Sequence, residues 1–289
     1  MMIFDLNQCA IANLMQQLSS KTQTIPGEDG LRHMILNTIR FNRMKFSNTG
    51  DVIIAVDARN SWRKKANRYY KLDRKETKKQ LAPGFDWNKF YQFINQLVEE
   101  IRLNFPYYTI SVDGAEGDDI IGECVRHYHA NTVLEEIVII SGDKDFAQLH
   151  FDGRVKQYSP VQKKFITVPC AETARKELII KGDRSDGVPN ILSPDNSFYD
   201  KIKQQKMTAG RLDKYMQLEP ADVEDPEISR NYYRNTALID LNCTPKAIKD
   251  EVVRQLEEQQ NQPKTSGKLF PYLVKHRLRE LQEAVGDFA

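Results

Sequence analysis

The stretch "IISGDKDFAQLH", Ile139 to His150, joins an apolar run to two aspartates one residue apart, then to a segment of helical character. Carboxylates that close repel each other, and each is costly to desolvate. Alone, such a pair reads as a solvated turn. It becomes an asset where a cation sits between the two side chains. The apolar half decides the fold. "EIVIIS" (136–141) is a short, β-branched run of the kind that forms a strand buried on both faces. "MMIF" (1–4), "VIIAV" (52–56) and "YYTISV" (107–112) are of the same kind. Between them, 30–46, 86–105 and 118–130 carry apolar residues at helical spacing. This alternation predicts an α/β fold, a mostly parallel sheet with helices on both faces. Residues 155–168 read as a short hairpin or edge pair, and from Ala171 the pattern is mainly helical. The helical part is interrupted at 182–197 and around 219–226, and 257–268 reads as a linker before a last basic helix.

Each of the four apolar runs is followed by an aspartate: Asp5, Asp57, Asp113, and Asp143 with Asp145. The carboxyl ends of parallel strands meet at one edge, where open α/β sheets place their ligands. "DGAEGDDIIGE" adds Glu116, Asp118 and Asp119 around the first turn of a helix, and "IIKGDRSDGVPN" adds Asp183 and Asp186. Acidic residues favour a helix N-terminus through its dipole, which accounts for one or two of these but hardly three. Asp5, Asp57, Glu116, Asp118, Asp119, Asp143, Asp145, Asp183 and Asp186 would repel one another strongly unless divalent cations neutralised them. Oxygen-only donors suit Mg²⁺ or Mn²⁺. Two such ions ~3.5–4 Å apart would activate a water and stabilise the leaving oxygen in phosphodiester hydrolysis.

Composition narrows the remaining classes. The chain has 289 residues, 40% of them hydrophobic and 28% charged, as expected of a soluble globular protein, and is long enough for one large domain or a domain with a helical annex. No apolar run approaches a membrane span, and "MMIFDLNQ" does not resemble a signal peptide. The four cysteines are scattered, which points away from zinc and disulfides and towards a reducing cytoplasm. No Walker sequence is present, so an ATPase is not supported. The formal charge is only +2, yet Arg59 to Lys79 holds ten Lys/Arg and two Asp/Glu, leaving about −6 for the rest. That basic segment interleaves Trp62, Arg63, Lys64, Lys65, Arg68, Tyr69, Tyr70, Lys71, Arg74 and Lys75. It reads either as a solvated amphipathic helix with its aromatics in the core or as an element gripping a single strand through phosphates and stacked bases.

Tyr70-Lys71-x-x-Arg74, with Trp62-Arg63 eight residues upstream, resembles the signature of the structure-specific 5′-nuclease family. That family includes flap endonucleases, phage 5′-exonucleases and the 5′-nuclease domains of bacterial DNA polymerases. Asp5, Asp57, E-x-D-D at 116–119, S-x-D-x-D at 141–145 and G-D-x-x-D at 182–186 fall in the family's order. The resemblance spans residues 2–190. "YYRNTALIDLN" (232–242) and "GKLFPYLVK" (267–275) extend it, within the family, to the T-even bacteriophage branch.

The resemblance implies a PIN-like 5′-nuclease fold, with an α/β core over 1–180 and a mainly helical DNA-binding part over 181–289. It makes 59–85 a mobile helical arch with a hinge at 81–87. Asp5, Asp57, Glu116, Asp118, Asp119 and Asp143 would surround a first ion. Asp145, Asp183 and Asp186 would hold a second, weaker one. Lys71 would meet the scissile phosphate, assisted by Arg63 or Arg74, with Trp62, Lys64, Lys65, Arg68, Tyr70 and Lys75 on the DNA. The implied activity is Mg²⁺-dependent 5′→3′ exonuclease and 5′-flap endonuclease action on DNA and RNA–DNA hybrids. It would remove RNA primers in lagging-strand replication, in the cytoplasm of an infected bacterium. A monomer is expected, with single-strand binding protein and sliding clamp as partners, and no N-terminal docking tail. The last segment, 270–289, reads as an amphipathic helix packed on the core.

One feature departs from the family pattern. Gly187 replaces the asparagine that often follows G-D-x-x-D, and 188–201 lack the glycine-rich hairpin, so duplex binding through 187–215 stays open. Two other readings share the acidic cluster: a catalytically silent binder of branched DNA, and a Mg²⁺-binding α/β domain of another kind.

Overall fold

The computed structural model describes residues 1–18, 27–82, 84–132, 135–263 and 266–289. In chain order the elements begin with β1 (Met2–Asp5), α1 (Leu6–Leu18), α2 (Glu28–Lys45) and β2 (Val52–Ala55). Then come α3 (Trp62–Ala66), α4 (Arg74–Leu81), α5 (Trp87–Asn104), β3 (Tyr108–Ile110), α6 (Gly117–Asn131) and β4 (Ile137–Ile140). After β5 (Val155–Ser159) and β6 (Lys164–Ile166) the chain is helical: α7 (Ala171–Lys181), α8 (Ala209–Met216), α9 (Pro226–Ile239), α10 (Lys246–Gln260), α11 (Leu269–Lys275) and α12 (Arg279–Glu283).

The six strands form one sheet in the order β3-β2-β1-β4-β5-β6. All pair in parallel except β6, which folds back on β5 as the expected hairpin. Central β1 pairs Met2 with both Val52 and Val138 and is buried throughout, as its apolar run requires. The period-two alternation divides the strands between two cores. Met2, Phe4, Val52, Ile54, Val138 and Ile140 face one core with α1, α2 and α5. Ile3, Ile53, Ile110, Ile137 and Ile139 face the other with α6 and α10. Helix α5 shows how the register is held. Asp86 caps it by accepting from the Asn88 and Lys89 amides at 3.0 Å, and Phe90, Phe93, Ile94, Leu97, Val98 and Ile101 bury one stripe. A third core, built from α7, α8 and α9, includes Tyr70 from the basic segment.

Several expectations change. Helix α1 starts immediately after Asp5, where no helix was anticipated. The linker is shorter than expected, because 257–260 continue α10 with Leu256 buried against the sheet. Its residues 264–265 lie outside the described residues. The last segment does pack on the core, through Leu269, Tyr272, Leu273, Leu278, Leu281 and Phe288, but as two helices. Arg277, at φ 56°, breaks them because a left-handed residue cannot continue a helix. Asp113 ends in an exposed turn. The arch segment forms α3 and α4 joined by a turn; Pro83, in the expected hinge, and the Lys75 side chain lie outside the described residues.

Candidate active site

The carboxyl ends of β1, β2 and β4 deliver the strand-end acids to one edge. Asp5 closes β1, its Oδ1 accepting from the Gln8 amide at 3.0 Å and its Oδ2 from the Ser141 hydroxyl at 3.0 Å. Asp57 Oδ1 accepts from the Gly117 amide at 2.6 Å. Glycine suits this close approach: a Cβ on Gly117 would stand a tight 3.1 Å from that oxygen, and the Asp57 side chain would have to give a few tenths of an ångström. Asp143 caps the 3₁₀ turn Lys144–Leu149 through the Asp145 amide, so the D-x-D pair opens a helix that points both acids inward.

These acids crowd one another. Burial, then Asp57 and Asp143, pushes the Asp5 carboxyl up to about 7. Burial likewise raises Asp57, against the pull of Lys71; Asp57 keeps solvent contact at the cleft mouth, which tempers the rise. Asp118 and Asp145 are pushed up by burial and next by Asp143, and Asp143 itself by burial. Each shift has one meaning: ionising these groups together needs positive charge the strand ends do not supply.

The second group sits on a turn rather than a strand. Asp183 accepts from the Ser185 amide and hydroxyl at 2.7 Å, and its backbone pairs twice with Val188 at 2.8 Å. Gly182 makes this turn possible, with φ 71° and ψ −179°, a region only glycine populates. An added Cβ there would lie 2.3 Å from the Val188 carbonyl oxygen. Asp145, Asp183 and Asp186 offer carboxylate oxygens all within 4.8 Å of one another. Asp145 Oδ1 is buried and has no hydrogen-bond partner. An orphaned anionic oxygen in an all-carboxylate trio fits a hard divalent cation.

The basic segment docks directly on these acids. Lys71 is itself left-handed at φ 54°, and its amide donates to the Asp186 carbonyl at 2.8 Å. That turn aims Lys71 Nζ at Glu116 Oε1, 2.6 Å away, and at Asp186 Oδ2, 3.4 Å away. The Tyr70 hydroxyl stands between Glu116 (2.9 Å) and Asp186 (2.7 Å), joining the two groups of acids. Arg74 pairs with Asp186 and donates to the Ser185 carbonyl at 3.2 Å. Burial pushes Asp186 up, but Lys71 and Arg74 outweigh it and hold that carboxyl below the usual range.

Other expected residues occupy different surroundings. Arg63 is buried, its Nη1 on Asp119 at 2.8 Å and Glu116 at 3.3 Å, its Nε on the Leu238 carbonyl at 2.8 Å. Its donors are engaged by protein acceptors, whereas the Arg74 side chain is 43% exposed. Trp62 is half-buried with its indole N–H on Asp119. Tyr70 is buried as well, whereas Lys64, Lys65 and Arg68 are exposed on the arch. Asp119 is fully buried and served by Arg63, Trp62, the Glu116 amide and the Thr244 hydroxyl. Burial raises its carboxyl, but Arg63 overrides this and lowers it. Its lone pairs are spent on protein donors, unlike those of Asp145. Ser141 had a signal in the S-x-D-x-D spacing; Lys144, 3.2 Å from Asp183, and Thr244 had none. A groove of about 660 Å³ between α5 and α11, lined by Glu100, Tyr272 and His276 among others, holds none of these residues.

A parallel sheet whose strand ends carry this acidic cluster, with a lysine-bearing arch docked on it, defines a metal-dependent nuclease. The chain belongs to the 5′-3′ exonuclease family, whose N-terminal resolvase-like domain matches residues 11–177. The C-terminal domain of T4 RNase H matches 170–288. Along its length the chain is similar to Ribonuclease H of Enterobacteria phage T4, 27% identical over 297 residues, covering 99% of this chain and 95% of that protein. Among solved structures, the phage T5 D15 flap endonuclease in a pseudo-enzyme-product complex with DNA and metal ions shares the fold at TM-score 0.61. It is 18% identical, over 90% of this chain and 99% of that one. The T5 5′-exonuclease with bound divalent zinc gives 0.60 at 16% identity, over 89% and 98%.

Proposed function

We propose that the protein hydrolyses phosphodiesters near 5′ ends, as 5′→3′ exonuclease and 5′-flap endonuclease, and removes RNA primers and adjacent DNA in lagging-strand replication. The observation that carries this is the docking of Lys71 and Arg74 onto the acidic cluster. It puts phosphate-binding cations and metal-suited carboxylates in one place. Asp5, Asp57, Glu116, Asp118 and Asp143 would hold one Mg²⁺, and Asp145, Asp183 and Asp186 a second, with Mn²⁺ as substitute. Bound ions would supply an activated water and neutralise charge on the phosphate. Lys71 Nζ, released from Glu116 and Asp186, would pair with the scissile phosphate and stabilise the charge that develops there. Arg74 would hold the neighbouring phosphate, and exposed Lys64, Lys65 and Arg68 the single strand beyond it.

The site reads backbone and strand geometry rather than base edges, so a 5′ ribonucleotide is acceptable. The working division is a nuclease core over 1–180 and a helical DNA-binding part over 181–289, the latter tied back to both faces of the sheet by α10 to α12. A monomer, replication partners such as single-strand binding protein and sliding clamp, and the cytoplasm of an infected host complete the proposal. No described helix is long and apolar enough to cross a membrane.

The test is cleavage of a 5′-labelled RNA–DNA hybrid and a 5′-flap duplex, in Mg²⁺ or EDTA, by wild type, Asp143→Asn and Lys71→Ala. Short 5′ products that need Mg²⁺ and fall by roughly 10²-fold or more in both variants are expected. Binding without cleavage by wild type, in Mg²⁺ and Mn²⁺ alike, would leave a silent branched-DNA binder instead.

A further inference from the structure

The segment Leu238–Thr244 touches three of the segments that carry the site, although it holds none of the acids assigned above. The Leu238 carbonyl accepts from Arg63 Nε at the base of the arch at 2.8 Å. The Ile239 carbonyl and the Leu241 amide bracket Gln148 at 3.1 and 2.9 Å, on the 3₁₀ turn that begins at Lys144. Thr244 Oγ1 donates to Asp119 Oδ1 on α6 at 2.6 Å, and lies 3.0 Å from the Leu241 carbonyl. A hydroxyl has one proton, and the shorter contact, to an ionised carboxylate, is the stronger claim on it. Thr244, Asp119 and Arg63 are each 3% exposed or less, so water cannot substitute for a lost partner.

We propose that Thr244 is a positioning residue for cleavage: its hydroxyl fixes Asp119, and so the Arg63 guanidinium that sets Glu116 opposite Tyr70 and Lys71. The chain of contacts is explicit. Asp119 Oδ2 takes both Arg63 Nη1 at 2.8 Å and the Glu116 amide at 2.9 Å, so its orientation fixes the helix start that carries Glu116 and Asp118. Arg63 Nη1 then reaches Glu116 Oε2 at 3.3 Å, the oxygen that Tyr70 also holds. Thr244 never meets the substrate; it acts by keeping two acids and one lysine in register. The inference rests on the nuclease reading above.

The experiment compares Thr244→Val, which keeps the shape and removes the hydroxyl, with Thr244→Ser and wild type on the 5′-flap substrate in Mg²⁺. Thermal melts give the folded fraction. We expect Thr244→Val to lose about tenfold in kcat at little-changed KM, the size of one charge-assisted hydrogen bond partly transmitted, with Thr244→Ser restoring it. A kcat per folded molecule equal to wild type, or a loss confined to KM, overturns the inference. If Thr244→Val does not fold, Trp62→Phe removes another donor from the same carboxylate: a kcat loss at unchanged KM supports the inference, and wild-type kcat overturns it. Failure of wild type itself to cleave would instead sink the nuclease reading, and this inference with it.

Discussion

The acids at the strand ends and the acid of the 183–187 turn are treated in opposite ways by the same chain. Around Asp5 and Asp118, burial and other carboxylates dominate, and both groups are pushed up. Asp186 is as deeply placed, yet Lys71, Arg74 and Tyr70 converge on it and its carboxyl is held down. The difference shows where positive charge must come from. The strand ends need an external cation, whereas the turn is provided for by the arch. A divalent ion arriving at Asp186 therefore competes with side chains already there.

The severest way to break the contrast is Gly182→Ala. Its φ of 71° and the overlap with the Val188 carbonyl should cost ~3 kcal/mol or more and dismantle the turn without altering a carboxylate. Chemical denaturation checks this, and a loss under ~1 kcal/mol would mean the turn tolerates a side chain.

Next comes the pair Asp186→Asn and Asp5→Asn, measured without divalent ions. Removing the Asp186 charge strands Lys71, nearly buried, and Arg74, and should destabilise by about 2–3 kcal/mol, less than a fully buried pair because Arg74 is 43% exposed. Removing the Asp5 charge should stabilise at pH 8, by roughly 1–3 kcal/mol. Effects of the same sign would erase the distinction.

The pH dependence has the same two signs. Asp5, raised from 3.8 to about 7, keeps in the fold a proton that the unfolded chain has lost. Its contribution is full below about pH 4 and is lost as pH rises through 7. Asp186, lowered, contributes above the ordinary carboxylate range and loses this as pH falls through its folded value. Melting temperature in EDTA should therefore fall from pH 5 to pH 8, and Mg²⁺ should flatten the slope. An EDTA profile that rises over that window would show that the strand-end acids are not starved of charge.

The smallest expected effect sharpens the contrast most. Arg74→Ala should tighten Mn²⁺ at the weaker site about threefold in the absence of DNA, because a competing cation has left Asp186. Weaker binding, read by titration calorimetry, would make Arg74 a support for Asp186 rather than a rival of the ion.

Much of this was legible from the chain. Uninterrupted runs such as "VIIAV" fixed the strands, since only a doubly covered sheet buries them, and the aspartates trailing three of them, Asp5, Asp57 and Asp143, then had to share an edge, while Asp113 stays in an exposed turn. The helix after Asp5 is poorly marked: Asp5 caps it through the Gln8 amide but also reads as a strand-end acid, and "LNQCAIANLMQQL" carries no acidic residue in its first turn. Arg63 is indistinguishable in sequence from exposed Lys64 and Lys65, since a basic run gives no sign of which guanidinium will meet a buried carboxylate. The break at Arg277 was equally hidden, with no glycine or proline to announce it.

The sequence by itself determined the sheet, the membership of the acidic cluster and the place of the basic arch, because period, spacing and charge are local properties of the chain. Only the tertiary structure decided which acids are paired and which are bare. It put Lys71 and Arg74 on Asp186, sealed Arg63 against Asp119, brought Thr244 across 125 residues to the same carboxylate, and left Asp145 Oδ1 without a partner. The physical reason is that a carboxylate's state depends on what lies within a few ångströms of it, and that is set by how distant segments pack.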